Sequence, residues 1–295
     1  MTAYAALGAL EQGLAYGIMA IGVFISFRIL DFPDLTVDGS LPLGAAVSAV
    51  AITSGVNPYL SLILAIVAGS MAGWVTAILN TKFKILHLLA SILTMIALYS
   101  INIRIMGGPN IALIGAPSVF DPVIGLGIPA HLASLVVFAV FAVAVVILVI
   151  WFLRTEFGQA MLATGDNPQM ITSLGVNTHF IIIAGVGLSN GLVALSGALI
   201  AQNQGAADVG MGIGTIIAGL ASVIVGETLF GTASVARSII AALLGSVVYR
   251  LAIAFALGFE WGGFSFSPSD LNLITALLVV GAMSAPHLKK RLLAR

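Results

Sequence analysis

Three carboxylates crowd one short link: Asp31, Asp34 and Asp38 are interleaved with Thr36 and Ser40 and with Pro33, Gly39 and Pro42. A second polar stretch runs from Arg154 to Asn177, and a third from Val225 to Ser234, where Glu227 is the acid. The histidines stand apart at His87, His131, His179 and His287, without ligand spacing, so no metal is assigned. The chain has no cysteine, which excludes disulfides, thiolate metal sites and Cys nucleophiles. No Ser/His/Asp arrangement suggests catalysis, and no GxxxxGK[ST] loop is present to cradle phosphates. The chemistry within reach is hydrogen bonding and charge placement rather than bond making, so a non-enzymatic role is expected. If ATP drives it, another chain must bind the ATP.

The elements that must position these residues are apolar. Of 295 residues, 60% are hydrophobic and 7% charged, and the mean hydropathy is +1.16. A soluble domain carries about 25% charged residues, so the chain reads as a polytopic membrane protein. The 33 glycines agree, since Gly is commoner in membrane helices. Net charge zero leaves no basic field for nucleic acid. No Lys or Arg precedes Arg28, so the first apolar run lacks a signal peptide's basic segment and is expected to be retained.

Candidate membrane segments fall at 10–28, 41–54, 58–80, 85–105, 130–153, 178–201, 209–226, 235–257 and 271–286. The expected fold is all-α: a polytopic transmembrane helical bundle of about 8–9 membrane segments in a single transmembrane domain, 1–295. Segment 41–54 is too short for a full crossing, and 209–226 is marginal and rich in glycine (Gly210, Gly212, Gly214, Gly219). Short Gly/Pro-bounded segments in both halves point to broken or re-entrant helices around a pathway. With the N-terminus outside, nine Lys and Arg residues fall inside and two, Arg104 and Arg250, outside, which places the C-terminus in the cytoplasm.

In the stretch Asp31–Gly44, Pro33 and Pro42 are expected to break helices, Gly39 to permit a tight reversal, and Asp38 or Ser40 to cap the following short helix. It reads either as a solvated turn or as a partly buried elbow shaping a translocation pathway through Asp31, Asp34, Thr36, Asp38, Gly39 and Ser40; three acids exceed what capping needs. Between Arg154 and Asn177, Thr155 can cap a two-turn helix ending at Gly165. Asn167 then caps a second helix, with Pro168 at its first position, and Gly175 stops it. Gly158, Ala160 and Ala163 give this pair a small face, and Phe157, Met161, Leu162 and Met170 are expected to be exposed. Such a knob suits a partner's groove. A helix resting on lipid headgroups would favour a basic face, and Arg154 stands alone. The Glu227 region reads as a second inner loop or a plain turn. Gly69 with Gly73 and Gly187 with Gly191 are GxxxG pairs for helix packing, and Ser189 and Asn190 could line a pathway or bond between helices.

Taken together, these blocks resemble the integral-membrane permease subunits of bacterial ABC importers, in the superfamily of branched-chain amino acid and ribose permeases. The match is carried by Asp31–Gly44, by Arg154-Thr-x-Phe-Gly through Gly165-Asp-Asn to Gly175, and by Ile216–Gly231. The first block, LDFPDLTVDGS, is closest to a subgroup often paired with aromatic amino acid binding lipoproteins. The resemblance implies a permease subunit in a bacterial inner membrane that moves a small solute, an amino acid or related compound. Its implied partners are a second permease copy, two ABC ATPase subunits that carry ATP and Mg, and an external solute-binding protein. It also implies that Thr155, Glu156, Phe157, Gly158, Ala160, Gly165, Asn167 and Gly175 form the loop that docks on the ATPase. The alternative is an ion-coupled secondary transporter, which ordinarily places ionisable residues inside its spans; here the acids fall in connections or at the outer end of the first span.

Overall fold

The computed structural model describes residues 3–258, 260–261, 264–265, 273–277 and 280–281. Helix α1 (Ala3–Val23) runs on through a π-helical stretch, Phe24–Ile29. It is followed by α2 (Val37–Thr53), α3 (Pro58–Thr81), α4 (His87–Met106), strand β1 (Asn110–Ala112), the single turn α5 (Asp121–Ile124) and α6 (Ala130–Leu153). Two short helices, α7 (Glu156–Asp166) and α8 (Pro168–Ser173), lead into α9 (Thr178–Gln204). Strand β2 (Ala206–Asp208), a 3₁₀ turn (Val209–Gly212), α10 (Thr215–Phe230) and α11 (Val235–Leu257) follow, and residues 273–277 and 280–281 are again helical.

Among the described residues, seven segments are long and apolar enough to cross a membrane: Tyr4–Ile29, Pro58–Thr81, His87–Met106, Leu132–Leu153, Thr178–Gln204, Val209–Phe230 and Val235–Leu257. At 17 residues, α2 rises only about 26 Å, short of the hydrocarbon thickness of about 30 Å. It begins at Val37 rather than 41, because Asp38, Gly39 and Ser40 are already helical and Pro42 lies inside it. Gly39 therefore makes no reversal. The expected segment at 271–286 lies mostly outside the described residues.

Helix α9 is the centre of the bundle, packed by α1, α2 and α3. Its packing on α3 explains the paired small residues. A Cβ at Gly69 would lie 2.4 Å from the Asn190 carbonyl oxygen, and one at Gly73 would lie 2.5 Å from that of Val186. Helices without a hydrophobic drive to associate gain their attraction from such close backbone contact.

Contacts define two ends of the bundle. At one end, the end of the π-helical stretch meets the end of α10 through Arg28 and Glu227, and α7 packs on Ile29. At the other, β1 pairs antiparallel with β2, Asn110 opposite Asp208, and Glu11 accepts from Asn203.

Candidate functional site

The elbow between α1 and α2 is buried at Phe32, Asp34 and Thr36. Asp31 takes a left-handed backbone, φ 49°, and turns the chain from the π-helical stretch into the bundle. Asp34 is 0% exposed. Its Oδ1 accepts from the Thr36 backbone N–H at 2.9 Å, and its Oδ2 accepts from Asn190 Nδ2 at 2.6 Å. The Asn190 Oδ1 in turn accepts from the Ser40 hydroxyl at 2.7 Å, and the hydroxyls of Thr36 and Thr76 meet at 2.8 Å. No cation pairs with Asp34 among the described residues. Hydrogen bonds alone offset its burial, and they tie the elbow to α9 and α3.

Four residues on, Asp38 caps a helix, but not its own. The start of α10 follows Gly214, in a left-handed conformation (φ 77°), and lacks a side-chain cap of its own. Asp38 supplies one across the bundle. Its Oδ2 accepts from the Gly214 N–H at 3.0 Å; its Oδ1 accepts from the Ile216 N–H at 2.8 Å and the Thr215 hydroxyl at 3.0 Å. A carboxylate at a helix N-terminus satisfies otherwise unpaired N–H groups and the positive end of the helix dipole. The break in Val209–Phe230 is thus held open by α2. Gly39, next in sequence, is buried, and a Cβ there would lie 2.9 Å from Leu98 Cδ1 and 3.3 Å from the Met95 Cα, so its small size brings α4 close. A cavity of about 340 Å³ lies against these residues, bordered by Asp38 and Gly39 of α2, Tyr99 and Asn102 of α4, and Ile213.

The stretch 154–177 forms a capped helical knob. Thr155 Oγ1 accepts from the Gly158 N–H at 3.2 Å, Asn167 Oδ1 from the Met170 N–H at 3.0 Å, and Gly175 has φ 84° after α8. The inner face of α7 is tightly seated. A Cβ at Gly158 would lie 2.3 Å from the Phe152 carbonyl oxygen, and one at Gly165 would lie 1.7 Å from that of Ile29. Met161 is wholly buried, and the Phe157 ring packs against those of Phe152 and Phe180. The outer surface is left to Glu156, Gln159 and Asp166 and to α8, where Met170 is 51% exposed, with Leu174 just beyond at 71%. Beside the knob, Arg28 Nε lies 2.9 Å from Glu227 Oε1.

With this geometry in place, comparison with known proteins is decisive. The family described as "Branched-chain amino acid transport system / permease component" matches residues 5–283. The chain belongs to that family. It is therefore a membrane-spanning permease, the transmembrane component of an ABC transport system. The permease is 41% identical over 282 residues to a tyrosine transport system permease protein of Clostridioides difficile, covering 96% of this chain and 91% of the relative. It is 26% identical to the autoinducer 2 import system permease protein LsrC of Yersinia pseudotuberculosis, covering 90% of this chain and 72% of that one. Among solved structures it is similar to PsaBC from Streptococcus pneumoniae in complex with Fab, with a TM-score of 0.54 at 15% identity, covering 96% of this chain and 91% of that one. That last likeness concerns the fold alone.

In the permease the anticipated elbow residues do come together: Asp34, Thr36, Ser40 and Asn190 share one network, and Asp38 and Gly39 border the adjacent cavity. Asp31 stays exposed at the edge of the network, and Ser189 donates to the Gly22 carbonyl oxygen at 2.7 Å, bonding α9 to α1. Three expectations need correction. Helix α7 does not stop at Gly165 but runs to Asp166, because Gly165 serves close packing instead of a left-handed cap. Phe157, Met161 and Leu162 pack inward instead of standing exposed, and so do Gly158 and Ala160 of the small face, since the side of α7 nearest the bundle is the one that must be covered. Of the acids expected in connections, Asp34 lies in one but is buried against α9, Asp38 stands half-buried inside α2, and Asp31 alone is exposed. Asn102, Thr76 and Arg28 were not anticipated as site residues. Asn102 had a legible signal, an amide deep in an apolar run.

Proposed function

We infer that the permease forms the membrane pathway of an ATP-driven importer for a small solute, an amino acid or a related compound. The tyrosine permease of C. difficile, at 41% identity over nearly the whole chain, supports the amino acid class. In this reading an external solute-binding protein delivers cargo at the β1–β2 end, the N-terminus is outside and the C-terminus cytoplasmic, and a second copy completes the pathway. Two ATPase subunits, which carry the ATP and Mg, dock on the knob in the cytoplasm of a bacterium, beneath its inner membrane.

One observation carries the coupling. The outward surface around α8 offers Met170 and Leu174 to a partner, while the inward face of α7 rests directly on the backbone of Ile29, two residues before Asp31. A push on the knob therefore reaches the elbow through backbone contact, without an intervening flexible side chain. The alternative of an ion-coupled secondary transporter is disfavoured by the family, and the buried Asp34 is the one feature that would have served it. Both Asp34 oxygens, however, are engaged by Thr36 and Asn190. Co-purification tests the importer reading. A soluble ATPase should accompany the tagged permease in stoichiometric amounts; a permease that purifies alone under conditions preserving its activity would count against it.

A further inference from the structure

We propose that the cavity between α2, α4 and the Val209–Gly212 turn receives the ammonium group of the transported solute, with Asn102 as the residue that reads it. The inference rests on the solute-permease reading and adds the chemistry of the ligand. The cavity volume of about 340 Å³ falls in the range of small-molecule sites, roughly 300–1,000 Å³. Its wall is mostly apolar, with Met95, Tyr99, Val209 and Ile213; Asp38 and Asn102, brought together by the Asn102–Gly39 hydrogen bond, make its polar end, and Ser100 also borders it. Asn102 is fully buried. Its Nδ2 donates to the Gly39 carbonyl oxygen at 3.2 Å, while its Oδ1 has no hydrogen-bond partner among the described residues. A buried acceptor without a donor is costly and calls for a partner.

Asp38 points to the same chemistry. A carboxylate can accept about four hydrogen bonds, and three donors reach this one, from Gly214, Thr215 and Ile216. What is left at this end is acceptor capacity beside a negative charge, and no Lys or Arg lines the cavity. A group with only donors and a positive charge fits there. A carboxylate would be repelled by Asp38, and the N-terminus of α10, which could have attracted it, is already occupied by Asp38 itself. The rest of the ligand then lies on Tyr99 and Ile213, an aromatic and an aliphatic surface.

The chain's lack of cysteine makes the test clean. Ser100 is exposed and borders the cavity, so a Ser100→Cys permease, assembled with its ATPase in nanodiscs, reports occupancy through its maleimide labelling rate. L-Tyrosine methyl ester, which keeps the ammonium and has no carboxylate, should slow labelling. The deaminated acid 3-(4-hydroxyphenyl)propanoate should need at least about ten times the concentration. Adding Asn102→Leu should raise the half-protecting concentration of the ester about tenfold, whereas Asn102→Asp, which keeps an acceptor, should retain protection even if the leucine variant fails to fold. Equal protection by both probes, or protection by neither, overturns the proposal. ATP-driven uptake by the same preparations separates the two readings: uptake without protection sinks the cavity assignment alone, and protection without ATP-driven uptake sinks the importer reading alone.

Discussion

The Asp38 carboxylate on α2 accepts a hydrogen bond from the backbone N–H of Ile216 on α10 at 2.8 Å, so one broken element caps the other across 178 residues of sequence. Removing that carboxylate uncovers the start of α10 inside the bundle. Asp38→Leu should destabilise the purified permease by about 1–3 kcal/mol and abolish transport while leaving membrane insertion intact. Asp38→Asn keeps an acceptor oxygen and should cost about 1 kcal/mol. Thermal unfolding in detergent and solute uptake together check the pair; equal behaviour of the two variants would reject the cap.

Gly165 and Gly175 are needed for different reasons. At Gly165 a side chain would collide with the Ile29 carbonyl, 1.7 Å from the Cβ position, so Gly165→Val should cost about 1–3 kcal/mol of overpacking and shift the knob relative to the elbow. Gly175 has open space around it and φ 84°; Gly175→Ala should cost about 1–2 kcal/mol locally. Transport coupled to ATP hydrolysis should fall sharply in the first variant and stay near normal in the second.

In the proposed importer, the surface that the knob leaves for a partner lies around α8. Leu174 is 71% exposed, so Leu174→Arg should leave the fold unchanged within about 0.5 kcal/mol. A charge pressed into the docking contact should weaken ATPase binding by about two decades. Ala160, half-buried against the permease's own core, should behave otherwise: Ala160→Arg lowers the yield of folded protein. Binding of the ATPase to detergent-purified variants, measured by surface plasmon resonance, reads both effects.

Single cysteines in this cysteine-free chain also test its orientation. Gln169 on α8 and Asn110 in β1 are both exposed and lie at opposite ends of the bundle. An impermeant maleimide applied to whole cells should label a cysteine at 110 and spare one at 169. Labelling at 169 from outside would reverse the topology.

Much of this architecture was legible in the residues. The apolar runs marked the helices, and Thr155 and Asn167 marked helix starts that their side chains do cap. What could not be read was direction and distance. Phe157 and Met161 look like a docking face until the neighbouring α6 and α9 are in place to cover them. Asp34 looks like a loop acid because its partner Asn190 is 156 positions away. Gly165 reads as a helix stop, since nothing local distinguishes a glycine needed for its backbone angles from one needed for its lack of volume. Asn102 owes its meaning to Gly39, which only folding brings within reach.

Reconstitution tests the central claim most directly. The permease is placed in proteoliposomes with its ATPase, the external solute-binding protein and the radiolabelled amino acid which that protein binds, with and without ATP-Mg and with and without a proton or sodium gradient. The account predicts accumulation that requires ATP, the ATPase and the binding protein, and that is indifferent to the ion gradient. Accumulation by the permease alone, driven by the gradient and unaffected by ATP, would contradict it.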